Sequence, residues 1–350
     1  MRRDLAQDAL NRIIVLGATG FFGRLAVERL RAEGLAPLTA SRRGGLDLVL
    51  DAEVPAALGS VLREGDLVLD AAGPFQQRST ALVEAATDIG VDVIDISDSL
   101  AYAARVRELR DRIDRAGIRV LNGCSAVSAV SAAMISVSGV TNPVRVSIFL
   151  APAARRTANP ATTSSLMDSL GRPIRVLSEG RLATRRGWTR SRTFSWRSDQ
   201  HRRRGYLTES ADAILLPEAW PSLREVDFWV DTQVPAVNRT LASTVGIPGA
   251  ARLARRLAPV GSVVAKWFGS AAGEFGIEVE GGDGMAASCL LSSARNSYQV
   301  AIAPAILAAS AIVAGSFLAR GLVRADQQVD ATALIDYLAG LGVDFIKAAP

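Results

Sequence analysis

Gly17, Gly20 and Gly23 stand at three-residue spacing in RIIVLGATGFFG, residues 12–23, between a short β-branched run and a helix-like stretch. That spacing suits the phosphates of a dinucleotide. The first glycine allows a tight turn, the second lets backbone approach a pyrophosphate, and the third lets a helix pack close to the strand. The helix N-terminus adds unpaired N–H groups and the positive end of its dipole. Ala18, Thr19, Phe21 and Phe22 complete the turn and belong to the same expected site. A second signal, Ser41-Arg42-Arg43, lies where the next strand ends. NAD sites place an acid there for the ribose 2′-hydroxyl, whereas NADP sites offer arginine to the 2′-phosphate. No acid is present, so NADP is the expected cofactor, with a hydrogen bond from Ser41 and a bidentate pair from Arg42 or Arg43. The competing reading of these arginines is a basic, solvated turn.

Hydride transfer is the cofactor's chemistry; the protein orients the reactants and handles the proton. Candidate proton donors are Asp98 and Tyr102, with Ser97 and Ser99, after the fifth expected strand, and Ser125 and Ser128 after the sixth. The crevice of an open parallel sheet lies at the carboxyl ends of its strands, so all of them are topologically placed to act. The serines suit helix capping equally well. A Tyr-x-x-x-Lys pair is absent, since Tyr102 is followed at that spacing by Val106 and Tyr206 by Ser210. The single histidine, His201, sits in an arginine-rich stretch and reads as a surface residue. There is no Gly-x-Ser-x-Gly nucleophile elbow, and no Cys/His cluster points to a metal. Arg155, Arg156 and the segment Asn159–Ser165 could meet a substrate carboxylate or phosphate, or form a solvated loop.

These residues need a frame, and the first 125 residues supply one by alternating strand and helix. Strands are expected at Ile13–Leu16, Leu38–Ala40, Leu46–Leu50, Asp66–Ala71, Val91–Ile96 and Ile118–Leu121, with helices at Arg24–Glu33, Val54–Leu62, Ser79–Ile89 and Ala103–Ala116. Such alternation implies a doubly wound parallel sheet, a Rossmann α/β domain over residues 1–125. Residues 126–303 change style. Strand-like pieces at Val144–Leu150, Ile174–Leu177, Gly187–Trp196 and Arg224–Val230 accompany a helical stretch at Asn238–Phe268. A hairpin follows around Gly281–Gly284, which together implies an α+β domain with a mostly antiparallel sheet. Residues 304–350 read as helices packing back on the first domain.

The 350 residues, 49% hydrophobic, can fill two cores. Cys124 and Cys289 are too few for a disulfide scaffold, and residues 1–12 lack the apolar core of a signal peptide, so a cytoplasmic protein is expected. The net charge of +5 is concentrated between Arg181 and Arg204. No nucleic-acid module surrounds that stretch, so a solvated hairpin or loop is expected rather than a nucleic-acid partner, with an anionic ligand or a membrane surface as the alternatives. The uncharged run Ala301–Ala319 is too rich in Ala, Ser and Gly for a membrane span and reads as a buried helix, with peripheral membrane contact as the alternative.

After the fourth strand, Asp70 to Phe75 reads DAAGPF. Small residues at a strand's end leave room for a nicotinamide ribose, Pro74 stiffens the turn and Phe75 can wall the ring. GATGFFG paired with AAGPF, and followed by DVIDISD at 92–98, resembles the saccharopine dehydrogenase-like (saccharopine reductase-type) oxidoreductases. The segment RGYLTESADAILLPEAWPSLREVDFWVD and the Gly281–Gly284 hairpin loosely resemble the second domain of that family's shorter bacterial members. The resemblance implies NADP bound by Gly17, Thr19, Gly20, Phe22 and Gly23 at the phosphates and by Ala72, Gly73 and Phe75 near the nicotinamide. It further implies a substrate domain whose sheet often supports a homodimer. The loop Gly123-Cys124-Ser125-Ala126-Val127-Ser128 lacks the proline of saccharopine-forming members, which argues against the saccharopine reaction itself. The expected activity is hydride transfer to or from an imine, carbonyl or activated alkene on a small or carrier-bound substrate. The alternatives are a non-catalytic NADP-binding redox sensor or scaffold, and a lipid-associated trans-acting enoyl reductase.

Overall fold

A computed structural model describes residues 12–158, 160–196, 202–234 and 236–348. His201, Asn159 and the part of the basic stretch at 197–201 lie outside the described residues. Strands β1 (Ile13–Leu16), β2 (Leu38–Ser41), β3 (Leu48–Val49), β4 (Leu67–Asp70), β5 (Asp92–Asp95) and β6 (Arg119–Leu121) form a parallel sheet. Its order is β6-β5-β4-β1-β2-β3, and the short strand Gly321–Leu322 extends it beyond β6.

β1 is buried along its whole length, as a strand covered on both faces must be. Ile13 and Val15 face α1 (Phe21–Ala32) and the helix Ala303–Val313, through Leu25, Leu30, Ala305 and Ile306. Ile14 and Leu16 face the opposite layer, through Leu58, Leu82, Val83 and Val106. The alternation that sorts these residues is the two-residue period of the strand.

α1 starts at Phe21, three residues before the expected Arg24. Gly23 hides the start, because glycine is a poor helix former; its missing Cβ is what lets the helix sit there, since a Cβ would lie 2.1 Å from the Gly17 carbonyl oxygen. The expected helix Ala103–Ala116 is two helices, Leu100–Glu108 and Arg110–Ala116, separated at Leu109.

The second sheet is mixed and mostly antiparallel. Its path runs Ser191–Ser195, Arg202–Thr208, Glu225–Val230, Pro143–Ala151, Gly273–Gly281, Ala286–Ser293 and Asp344–Ala348, with Pro173–Ser178 and Arg181–Arg186 attached to the side. Only Glu225–Val230 and Pro143–Ala151 pair in parallel among its described strands. The basic stretch is therefore largely strand. Arg181–Arg186 keeps most of its side chains in solvent, whereas Arg203 donates to both oxygens of Glu274 at 3.1 and 3.0 Å.

Ala303–Val313 is buried, with Ala305, Ile306 and Ala309 wholly inaccessible, so this run faces protein and not lipid. No helix among the described residues is long and apolar enough to cross a membrane. The C-terminal segment serves both sheets: Gly321–Leu322 joins the parallel one, and Asp344–Ala348 pairs with Ala286–Ser293 in the other.

Candidate active site

Gly17 closes β1 with φ +79°, and its N–H donates to the Ala40 carbonyl at 3.1 Å. A Cβ on Gly17 would meet the backbone of Ala71 and Ala72 at 2.8 Å, so the turn lies directly against the end of β4. Gly20 caps α1 with no side-chain hydrogen bond, leaving first-turn N–H groups free for an anion. Arg24 fixes the turn from outside by donating to the Thr19 carbonyl. Ser41 is buried at the end of β2 and accepts from the Arg43 N–H at 3.4 Å, while the Arg42 and Arg43 side chains are exposed.

The loop after β4 rests on a buried ion-pair network that sequence reasoning missed. Arg78 donates to Asp70 at 2.8 Å, to Glu53 at 2.6 Å and to the Ala72 carbonyl at 2.7 Å. Its guanidinium also lies 5.6 Å from the centroid of the Phe75 ring. Burial opposes charge on Arg78, but Asp70, Tyr102 and Glu53 outweigh it and hold the cation firmly protonated. Burial likewise opposes charge on Glu53; hydrogen bonds from Ser79 and Arg78 prevail and keep its pKa low. The signal available in the sequence was an arginine three residues beyond Phe75, opposite an aspartate ending a strand.

The glycine turn, Ser41–Arg43 and Ala72–Phe75 all line one cavity of about 700 Å³, which runs between the two sheets. Its far wall carries Leu150, Thr208, Phe228 and Glu274 from the second sheet, Glu209 just past the strand Arg202–Thr208, and Ser165 and Leu166 from the helix Pro160–Asp168. Phe21 and Tyr298 meet edge-to-face at 5.6 Å and belong to the same lining. The glycine cradle and the free helix terminus fit a dinucleotide, and Arg42 and Arg43 line the same cavity just past the end of β2. Gly23 and Ala18 are buried beneath the turn, where they support it without facing the cavity.

Of the six proton-donor candidates, Asp98 and Ser125 line this cavity. Asp98 opens into it and its side chain is exposed there. It accepts from Ser165 Oγ at 2.6 Å and from Gln76 Nε2 at 3.1 Å. Desolvation by the surrounding protein raises the Asp98 pKa, with the Ser165 and Gln76 hydrogen bonds pulling the other way. Ser125 also lines the cavity and donates to the Ala301 carbonyl at 2.8 Å. The expectation that Tyr102 and Ser128 share the crevice is corrected. Tyr102 is fully buried beside Phe75, 5.3 Å between ring centroids, because its helix turns that face onto the sheet. Ser128 is fully buried beside Asp212, because the Ala126–Val130 turn points it into the core.

Ser99 is a helix cap, accepting from the Tyr102 N–H at 3.2 Å. Asp95, one of the acids of DVIDISD, is structural: it accepts from Asn122 Nδ2, the Gly123 N–H and the Ser97 N–H at 2.8 to 3.0 Å. Those bonds tie the β5 and β6 loops together, and burial pushes the carboxyl up to about 6. Cys124 is buried, and desolvation raises its thiol pKa well above the ordinary value, as for an inert thiol. Arg155 donates to the Gly269 carbonyl at 3.1 Å, and neither it nor Arg156 lines the cavity. No cluster of metal-ligating side chains occurs among the described residues.

Residues 46–121 match the family model of the saccharopine dehydrogenase NADP binding domain. The comparison with curated proteins returned no match. Among solved structures, the chain resembles apo saccharopine dehydrogenase (L-Glu forming) from Saccharomyces cerevisiae, with 13% identity and a TM-score of 0.61 over 97% of this chain and 100% of that one. An oxidoreductase from Thermotoga maritima aligns over 97% of this chain and 98% of its own, with 12% identity and a TM-score of 0.39. The chain thus shares the fold of the yeast enzyme, and its segment 46–121, from β3 to β6, is similar to the saccharopine dehydrogenase NADP binding domain.

Proposed function

We propose that this chain is an NADP(H)-dependent oxidoreductase of the saccharopine dehydrogenase type. It moves a hydride to or from an imine, carbonyl or activated alkene held between the two sheets. The observation that carries this reading is the continuity of one cavity from the glycine turn and Arg42–Arg43 to Asp98 and the wall of the second sheet. In this assignment residues 1–125 hold the nucleotide, and residues 126–303 supply the substrate side.

Bound in the cavity, the nicotinamide supplies or accepts the hydride. The chain's own residues do the rest. The glycine turn and the α1 terminus bind the pyrophosphate, and Ser41, Arg42 and Arg43 select the 2′-phosphate. Ala72–Phe75 bounds the nicotinamide edge and keeps water from it. Asp98, whose pKa desolvation raises, gives a proton to the nitrogen, oxygen or carbon left electron-rich by hydride addition, and takes it back in the oxidative direction. Gln76 and Ser165 orient that carboxyl.

The test is NADPH and NADH titration by nucleotide fluorescence, followed by turnover on imine, carbonyl and enoyl panels. Saturable NADPH binding with NADPH-dependent turnover, reduced about a hundred-fold in kcat by Asp98→Asn at unchanged NADPH affinity, is expected. Failure to bind NADPH overturns the reading. Tight binding of both oxidation states with no turnover on any panel assigns the chain instead to the sensor or scaffold class.

A further inference from the structure

The helix Ala258–Phe268 is built with its large apolar side chains outward. Its inward positions are small, with Ala258 and Ser262 buried. Gly269, just past its end, approaches so closely that a Cβ would meet the Ala154 Cβ at 2.8 Å. Facing solvent are Val260, Val263, Trp267 and Phe268, the last two 76% and 71% exposed. Ile247 and, on the helix Ala250–Arg256 and its end, Leu253 and Leu257 extend the same surface, each at least half exposed. A surface helix ordinarily does the reverse, and a contiguous apolar face of this kind marks an interaction site.

The charge of this segment is one-sided. Between Thr232 and Gly273 the sequence holds Arg239, Arg252, Arg255, Arg256 and Lys266 and no acidic residue. Arg252, Arg255 and Arg256 line a concavity with Arg172, whose single acid among the described residues, Asp168, is already bonded by Arg172. Burial, and next the charge of Arg172, pull the Arg255 pKa down, as in a cluster with more cations than counter-charges.

We propose that the surface formed by residues 247–268 docks on an anionic phospholipid membrane. Trp267, Phe268, Val260 and Val263 enter the boundary between headgroups and acyl chains, and the arginines meet lipid phosphates. Charge complementarity selects this occupant. An apolar helix face with aromatic side chains at its edge and cations beside it fits the interfacial plane of a bilayer. A second copy docked through the same face would bring Arg252, Arg255, Arg256 and Lys266 against themselves. The helix Pro160–Asp168 packs against Ala258–Phe268 and carries Ser165 into the cavity, so the docked surface lies behind one cavity wall.

The proposal is tested on the full chain by flotation with phosphatidylcholine vesicles, with and without about one third phosphatidylglycerol. Trp267 gives a second readout, because Trp188, Trp196 and Trp229 are buried and Trp220 is half-buried. Partitioning roughly a hundred-fold stronger on the phosphatidylglycerol vesicles is expected from several basic side chains at an anionic surface. It should come with a blue shift in emission that Trp267→Phe removes. Trp267→Ser/Phe268→Ser should abolish flotation, and Arg252→Gln/Arg256→Gln should erase the preference for phosphatidylglycerol, both with unchanged cooperative thermal unfolding. Absent flotation, or equal partitioning on both vesicles, overturns the proposal. So does a wild-type dimer that Trp267→Ser/Phe268→Ser converts to monomer, which would give the face to a second copy. None of these outcomes depends on turnover or NADPH binding.

Discussion

Arg78 Nη2 lies 2.8 Å from Asp70 Oδ2 in a pair almost wholly removed from solvent, the aspartate fully buried and the arginine 8% exposed. The same guanidinium reaches Glu53 and the Ala72 carbonyl, so one side chain locks the strand end to the loop that borders the cavity between the sheets. Removing one member of such a pair leaves the other buried and uncompensated. Asp70→Asn or Arg78→Met should destabilise the protein by about 3–5 kcal/mol, read as a shift in the urea midpoint. The double variant Asp70→Asn/Arg78→Met should recover part of that loss.

The three glycines of the turn separate folding from binding. Gly23→Ala places a Cβ against the Gly17 carbonyl at 2.1 Å and should lower stability by several kcal/mol. Gly20→Ala meets the same oxygen at 3.2 Å, a contact small shifts can relieve. It should leave thermal unfolding nearly unchanged while reducing nucleotide affinity about ten-fold or more, because the methyl occupies the approach to the pyrophosphate.

Arg42 and Arg43 are exposed and contribute little to the fold. Arg42→Ala and Arg43→Ala should therefore leave stability within about 0.5 kcal/mol. The variant that loses the 2′-phosphate pair should weaken NADPH binding roughly ten-fold or more while leaving NADH binding alone. Titration of both nucleotides against each variant checks it; equal losses for the two nucleotides would sink the assignment of NADP.

Asp212 is fully buried, accepts from Ser210 Oγ at 2.7 Å and is pushed up to about 6 by burial, with Ser210, Ser128 and Ser131 opposing. A carboxyl whose folded pKa is raised holds its proton more tightly in the native state. Its contribution to stability is thus complete below the unfolded value of about 4 and is lost as pH rises toward about 6. Asp212→Asn should gain stability relative to the wild type over that window, by an amount on the order of 1–3 kcal/mol, seen in denaturation curves at pH 4 to 7. A difference between the two proteins that stays constant with pH would rule this out.

Local rules made much of the nucleotide half legible. A turn that needs positive φ and two close backbone approaches admits glycine, so the spacing of Gly17, Gly20 and Gly23 marks it without reference to the rest of the chain. The strand β1 and the apolar cores Leu67–Leu69 of β4 and Val93–Ile94 of β5 are as direct, because strands covered on both faces bury both sets of alternating side chains. Arg181–Arg186 reads only as part of a solvated hairpin or loop, because its arginines face water and carry no apolar period. Arg202–Thr208, by contrast, is an inner strand whose last four residues alone are buried.

What the sequence determined is therefore the cradle: strand, glycine turn, helix, and the small residues of Ala72–Phe75 beside it, all set by backbone sterics within a few residues. What only the tertiary structure decided is which side chains look into the cavity. Asp98 is brought to Ser165 across 67 positions of chain, while Tyr102, four residues later, is turned into the core. The helix Ala258–Phe268 has its outward face chosen the same way, by the small residues that let it pack against its neighbours. Orientation of this kind depends on the packing of surfaces distant in sequence, and no local spacing encodes it.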